Sequence, residues 1–203
     1  MSYSGQRSRQ REQRENTRQA IIEATGTLLR EQPYRELSVD LVMAQTGLTR
    51  TAFYRHFDDI PSLVLQLLAD VGRELYEVGE RWRAELPEDL PGSAHRGLEA
   101  IVEFMLRHGR LVRAVADGAA SDERLESGYR QFRDAFGELI IDGLEALVAR
   151  RRLEIPDVRG MARALNLMNE AFLLDTFGKK PLGDPNVALA TLETIWLRVL
   201  APK

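Results

Sequence analysis

The chain has no cysteine, which excludes disulfide frameworks, thiolate metal sites and cysteine nucleophiles together and gives no sign of an oxidising compartment. It has no apolar run near the roughly 20 residues of a membrane span. Met1 to Thr17 is polar and arginine-rich, without the apolar stretch of a secretory signal. These absences predict a cytoplasmic chain with no membrane partner. The apolar/polar alternation of half-buried strands is missing, as are repeats and any low-complexity tract beyond a mild Arg/Gln/Glu/Ser bias over residues 4 to 18. Catalytic signatures are missing too. His56, His95 and His108 show no metal-ligand spacing, Gly178-Lys179-Lys180 lacks the glycine spacing and hydroxyl residue of a phosphate loop, and no Gly-x-Ser-x-Gly elbow occurs. No enzyme, metal or cofactor is expected; a helical enzyme acting on lipid-like molecules is the rival reading.

What remains is helix and an uneven distribution of charge. The 203 residues are 44% hydrophobic and 29% charged, enough for a self-standing core in a chain of this length. The net charge is −3, yet residues 1–57 carry nine arginines against six carboxylates, leaving nineteen basic and twenty-five acidic residues for the remainder. A small basic module that meets a polyanion, joined to a larger acidic module, fits this split. Apolar spacing predicts a first helix over about 15–31, ended by Gln32-Pro33, and a short helix over 39–45 capped by Ser38. A turn follows at Thr46-Gly47-Leu48, with Gly47 left-handed. Thr49 caps a third helix to His56, and Asp58 or Asp59 caps a fourth that reaches Glu85 with Pro61 in its first turn. A loop is expected over 87–93, then helices over 95–107, 109–118, 122–151, 157–177 and 186–200.

The first three helices have helix-turn-helix spacing. In that motif the third helix enters the major groove, so its first residues must be small or polar to approach phosphates and base edges. Thr49, Arg50 and Thr51 meet that demand. Phe53 and Phe57, four apart, share a face suited to packing inward, while Thr49, Arg50, Tyr54 and His56 point away. The run Gly47-Leu48-Thr49-Arg50-Thr51-Ala52-Phe53-Tyr54-Arg55-His56-Phe57 resembles the recognition-helix signature of TetR-type transcriptional repressors, with glycine, tyrosine and phenylalanine in register over a match spanning about residues 15–68. The resemblance implies an all-α fold, phosphate contacts from Ser38, Thr49 and Tyr54, base or nearby backbone contacts from Arg50 and Thr51, and His56 at the groove edge. One position departs: many members place a lysine where this chain has Ile60, so the arginines near the N-terminus would have to supply that charge.

The resemblance further divides the chain into a basic flexible tail (1–18), a DNA-binding domain (19–60) and a ligand-binding and dimerisation domain (61–203). In the last, Asn166 and Asn169 stand at i and i+3 on one apolar face with Ala162, Leu165, Leu173 and Phe177, at about 100° per residue. Two amides on an apolar face need partners, either inside the protein or on a ligand. Ala164 to Glu170 and Thr191 to Trp196 are similar to the ethionamide-resistance repressor (EthR) subgroup, whose matching asparagines face an apolar tunnel for elongated ligands. This implies a small hydrophobic effector, with Phe104, Phe177 and Trp196 as walls. The opposite apolar face of the same helix, with Leu167, Ala171 and Leu174, and the wide apolar arc of the last helix, with Leu189, Leu192 and Leu200, suit a homodimer interface, and a two-fold dimer matches a palindromic operator. A DNA-binding dimer controlled without a small ligand is the alternative.

Overall fold

A computed structural model describes residues 3–85, 90–150 and 153–200. The order is α1 (Tyr3–Glu31), a 3-10 turn (Tyr34–Glu36), α2 (Val39–Thr46), α3 (Arg50–Phe53), α4 (Ile60–Glu85), α5 (Leu90–Ala119), α6 (Glu123–Ala149), α7 (Val158–Phe177) and α8 (Pro185–Val199). No strand occurs among the described residues, so the fold is all-α, as expected. Helix starts are set by side chains that satisfy otherwise orphaned amides: Ser38 Oγ accepts from Leu41 N, Thr49 Oγ1 from Ala52 N, Asp122 from Arg124 N and Leu125 N, and Asp157 from Gly160 N.

α1, α2 and α3 close over the start of α4 through Ile21, Leu28, Val42, Met43, Phe53, Phe57 and Leu63, all buried. α5 is the hub of the remainder, packing against α4, α6, α7 and α8 and reaching back to α1. The two regions share one continuous apolar core. Tyr34 lies against Gly118 of α5, where a Cβ would come within 2.7 Å of the tyrosine ring. Arg124 at the start of α6 donates to Asp59, at 2.9 Å, just before α4. The amide of Ser62 and Arg124 outweigh the effect of burial on Asp59, so its carboxyl titrates below the ordinary range.

Three boundaries differ from expectation. α1 begins at Tyr3, so the segment read as a tail continues the helix. α3 is a single turn, and hydrogen bonds from His56 N and Phe57 N to Phe53 O carry the chain on to Phe57. The loop expected over 87–93 falls partly outside the described residues, and from Leu90 the chain is already helical; α5 then runs unbroken through Gly109. That glycine is retained for packing, because a Cβ there would lie 2.9 Å from the carbonyl oxygen of Phe177 on α7.

His108 on α5 is half-buried, with Nε2 3.0 Å from Glu74 of α4 and Nδ1 buried without a hydrogen-bond partner. Burial lowers its pKa from 6.5, Glu74 only partly restores it, and Arg107 and Arg30 lower it further. The unfolded chain therefore takes up this proton at higher pH than the folded chain does. Stability from this group is present above 6.5 and lost as pH falls below it, levelling off under the folded value. His108→Gln is expected to flatten the dependence of the urea midpoint on pH below 6.5 without abolishing it, since burial and nearby arginines lower His56 in the same sense. An unchanged profile would contradict this account.

Candidate functional site

α3 carries the exposed polar face. Gly47 ends α2 at φ 67°, a left-handed conformation that reverses the chain at little steric cost only for glycine. Thr49 then caps α3, and Phe53, fully buried, fixes the helix to the core with its ring 5.8 Å from that of Phe57. Ser38, Thr49, Arg50, Thr51 and Tyr54 are all exposed on the resulting surface, and His56 is half-buried at its edge. Arg50 is held in a fork: it donates to both oxygens of Asp40 on α2, at 2.8 and 2.9 Å, and to Tyr54 Oη at 3.3 Å. Exposed pairs of this kind are weak, so the arginine is oriented without being trapped.

Further charge comes from α1. Arg14 donates to the carbonyl of Arg55 at 3.5 Å, and Arg18 sits 5.6 Å above the Phe57 ring. Burial, then Arg14 and Arg18, lower the pKa of His56 and so favour its neutral ring. Ile60, in the position of the expected lysine, packs against the core.

The second site is inside the larger region. Two small cavities adjoin, sharing Ile101, Phe136 and Asn169 as a common wall. The first, about 30 Å³, lies between Val78, Trp82, Ala94, Leu98 and Trp196. The second, about 50 Å³, lies between Leu75, Met105, Phe132, Leu173 and Leu174, with Tyr129, Arg133, Asn166 and Glu170 as polar lining. Each has room for little more than a few waters. Both amides are partnered internally: Asn169 accepts from Trp196 Nε1 at 3.1 Å, and Asn166 donates to the carbonyl of Arg133 at 3.1 Å. Tyr129 donates to Glu170, and burial followed by that carboxylate raises the phenol pKa well above its ordinary value.

The structure thus brings Asn166, Asn169 and Trp196 together. It does not bring Phe104 or Phe177 to either cavity: the Phe104 ring lies tilted against His108, with ring centroids 4.9 Å apart, and Phe177 packs on Gly109. Trp82, Tyr129, Phe136 and Glu170 were missed, because their relation to the asparagines is tertiary. Among the interface candidates Leu167 and Ala171 are exposed, Leu189 is half-buried, and Leu174, Leu192 and Leu200 are buried within the chain's own core. Both faces of α7 and α8 are apolar, so periodicity alone did not show which one the chain itself covers.

The family model described as bacterial regulatory proteins, tetR family, matches residues 21–67, the stretch from the middle of α1 into α4. The chain is 30% identical over 184 residues to the HTH-type transcriptional regulator EthR of Mycobacterium tuberculosis, covering 88% of this chain and 84% of that protein. It is 26% identical over 184 residues to EthR of Mycolicibacterium smegmatis, covering 88% and 83%. In fold it is similar to the TetR family transcriptional regulator PfmR of Thermus thermophilus, with a TM-score of 0.72 at 22% identity, covering 89% of this chain and 98% of that one. No helix among the described residues is long and apolar enough to cross a membrane. With the capped recognition turn, the polar face above Phe53 and these relatives in agreement, the chain belongs to the TetR family of helix-turn-helix transcriptional regulators, in relation to EthR, and is not an enzyme.

Proposed function

We propose that the chain is a cytoplasmic, dimeric repressor that binds a palindromic operator and is released by a small apolar effector. The observation that carries this reading is the exposed face of Ser38, Thr49, Arg50, Thr51, Tyr54 and His56 over a buried Phe53. Arg50 is poised to exchange Asp40 for a guanine edge, while the hydroxyls of Ser38, Thr49 and Tyr54 suit phosphates. The domains follow: DNA binding over residues 19–60, extended by the arginines of 1–18, and regulation over 61–203. Dimerisation uses the outward faces of α7 and α8, where Leu167, Val187 and Leu197 are 40%, 63% and 40% exposed.

The effector site is the pair of adjoining cavities. Opening them into one elongated space requires Phe136 to turn and the Trp196–Asn169 bond to break, which frees an indole donor and an amide for a polar atom on the ligand. A ligand that does this binds only the opened state, and its differential affinity shifts the population. Weakening operator binding 100-fold needs a preference of about 2.7 kcal/mol. The Tyr34–Gly118 and Asp59–Arg124 contacts join the regulatory helices to the DNA-binding region and would carry the change.

Arg50→Ala is expected to lose about 1–3 kcal/mol on the operator and to relax discrimination at one base pair, whereas Tyr54→Phe weakens all duplexes alike. Electrophoretic mobility shifts on operator and scrambled duplexes check this, and an Arg50→Ala protein that binds its operator as tightly as the parent would falsify the recognition assignment. Asn169→Leu strands the buried Trp196 Nε1–H and is expected to lower apo stability by about 1–3 kcal/mol, read by urea denaturation. Both tryptophans of the chain line the first cavity, with ring centroids 5.7 Å apart. An effector that enters there is expected to change their emission in a saturable way, over the same concentrations that release operator; release with unchanged emission would place the effector elsewhere.

A further inference from the structure

A separate cleft of about 290 Å³ opens between the end of α1, α5 and the segment after α7. Its rim holds Arg30, Arg110, Arg113, Lys179 and Lys180 against Glu31 and Asp117. Close backbone approach builds it. Gly178 caps α7 directly against Arg113, where a Cβ would come within 3.0 Å of that side chain and 2.4 Å of Leu174 O; Gly109 admits the Phe177 backbone one turn earlier. The end of α7 therefore lies on α5, and the two lysines that follow are delivered to the arginines of that helix.

Some of these cations are already neutralised. Arg113 donates to Asp117 at 3.0 Å and Lys179 to Asp175 at 2.9 Å, whereas Arg30 donates to the uncharged hydroxyl of Thr27, at 3.1 Å. Arg30, Arg110 and Lys180 have no carboxylate partner among the described residues. Half-buried Gln32, at the same cleft, has its Nε2 buried and unpartnered. Three unspent charges line one concavity beside Gln32, and in all five cations there face two carboxylates, Glu31 and Asp117. The acceptor that satisfies them carries more than one negative charge and several oxygens, which describes a phosphate or diphosphate group better than a carboxylate. The volume accommodates a group of that size.

We propose that this cleft binds a phosphorylated small molecule through Arg110, Lys180 and the Gln32 amide. The site is distinct from the apolar cavities, and it lies at the opposite end of α1 from Arg14 and His56, so it does not rest on the operator or effector readings.

Inorganic pyrophosphate is the probe, titrated calorimetrically into the full chain at about 0.1 M salt, where exposed charge is largely screened. The parent is expected to show saturable binding at one site per chain. Arg110→Ala with Lys180→Ala is expected to weaken it about tenfold or more by removing two charge-assisted contacts, and Gln32→Leu by less. Arg50→Ala is expected to bind pyrophosphate as the parent does, and the double variant to bind duplex DNA as the parent does. No saturable binding, or binding that survives the double variant, overturns the assignment. So does a loss in Arg50→Ala, which would place the anion on the recognition face. A matching fall in duplex affinity in the double variant would make the cleft a DNA-backbone contact, and overturns it equally. Far-UV circular dichroism of each variant confirms that the helices are intact.

Discussion

A helix of four residues has no stability of its own, since one hydrogen-bonded turn does not repay its nucleation. α3 therefore exists only because Phe53 and Phe57 are buried beneath it and because Gly47 and Thr49 set its entry and its first amide. Everything that α3 presents outward depends on that anchorage. Its advantage is positional: the polar side chains are referred directly to the core formed by α1, α2 and the start of α4, so a displacement of that core is a displacement of the reading surface.

The half built from α4 to α8 has the opposite character. Its interior is nearly full, and the polar groups lining the two cavities are spent on neighbours: Asn169 on Trp196, Asn166 on the backbone of α6, Tyr129 on Glu170. Opening such an interior would break these bonds. Any guest must replace the bonds it breaks, which discriminates against ligands that are merely greasy and favours those that place a polar atom where the indole or amide is released.

The local half of this architecture was readable in the sequence. Ser38 and Thr49 announce their helix starts, Gly47 its left-handed turn, and the four-residue spacing of Phe53 and Phe57 the buried side of α3, because each rests on contacts within one turn of chain. The amide pair was legible as two polar groups on an apolar face, but not the identity of its partners, which come from α6 and α8. The same limit explains Leu174, Leu192 and Leu200: both sides of their helices are apolar, and only tertiary packing shows that these three face inward. Gly109 reads locally as a break, whereas in the fold it is the point at which α7 reaches α5.

α1 is one continuous helix from Tyr3 to Glu31, buried along its second half at Ile21, Ile22, Leu28 and Leu29 and held ahead of that by Arg14 on the Arg55 carbonyl and Arg18 over the Phe57 ring. Arg7, Arg11, Arg14 and Arg18 recur on one stripe of that rod at helical spacing. From Leu29 to Arg7 the axis extends about 33 Å, so a tilt of about 5° at the fastened end sweeps the far guanidinium through about 3 Å. The helix thus joins the apolar core at one end to a stripe of positive charge at the other, so that a shift of its buried half is a larger displacement of those arginines.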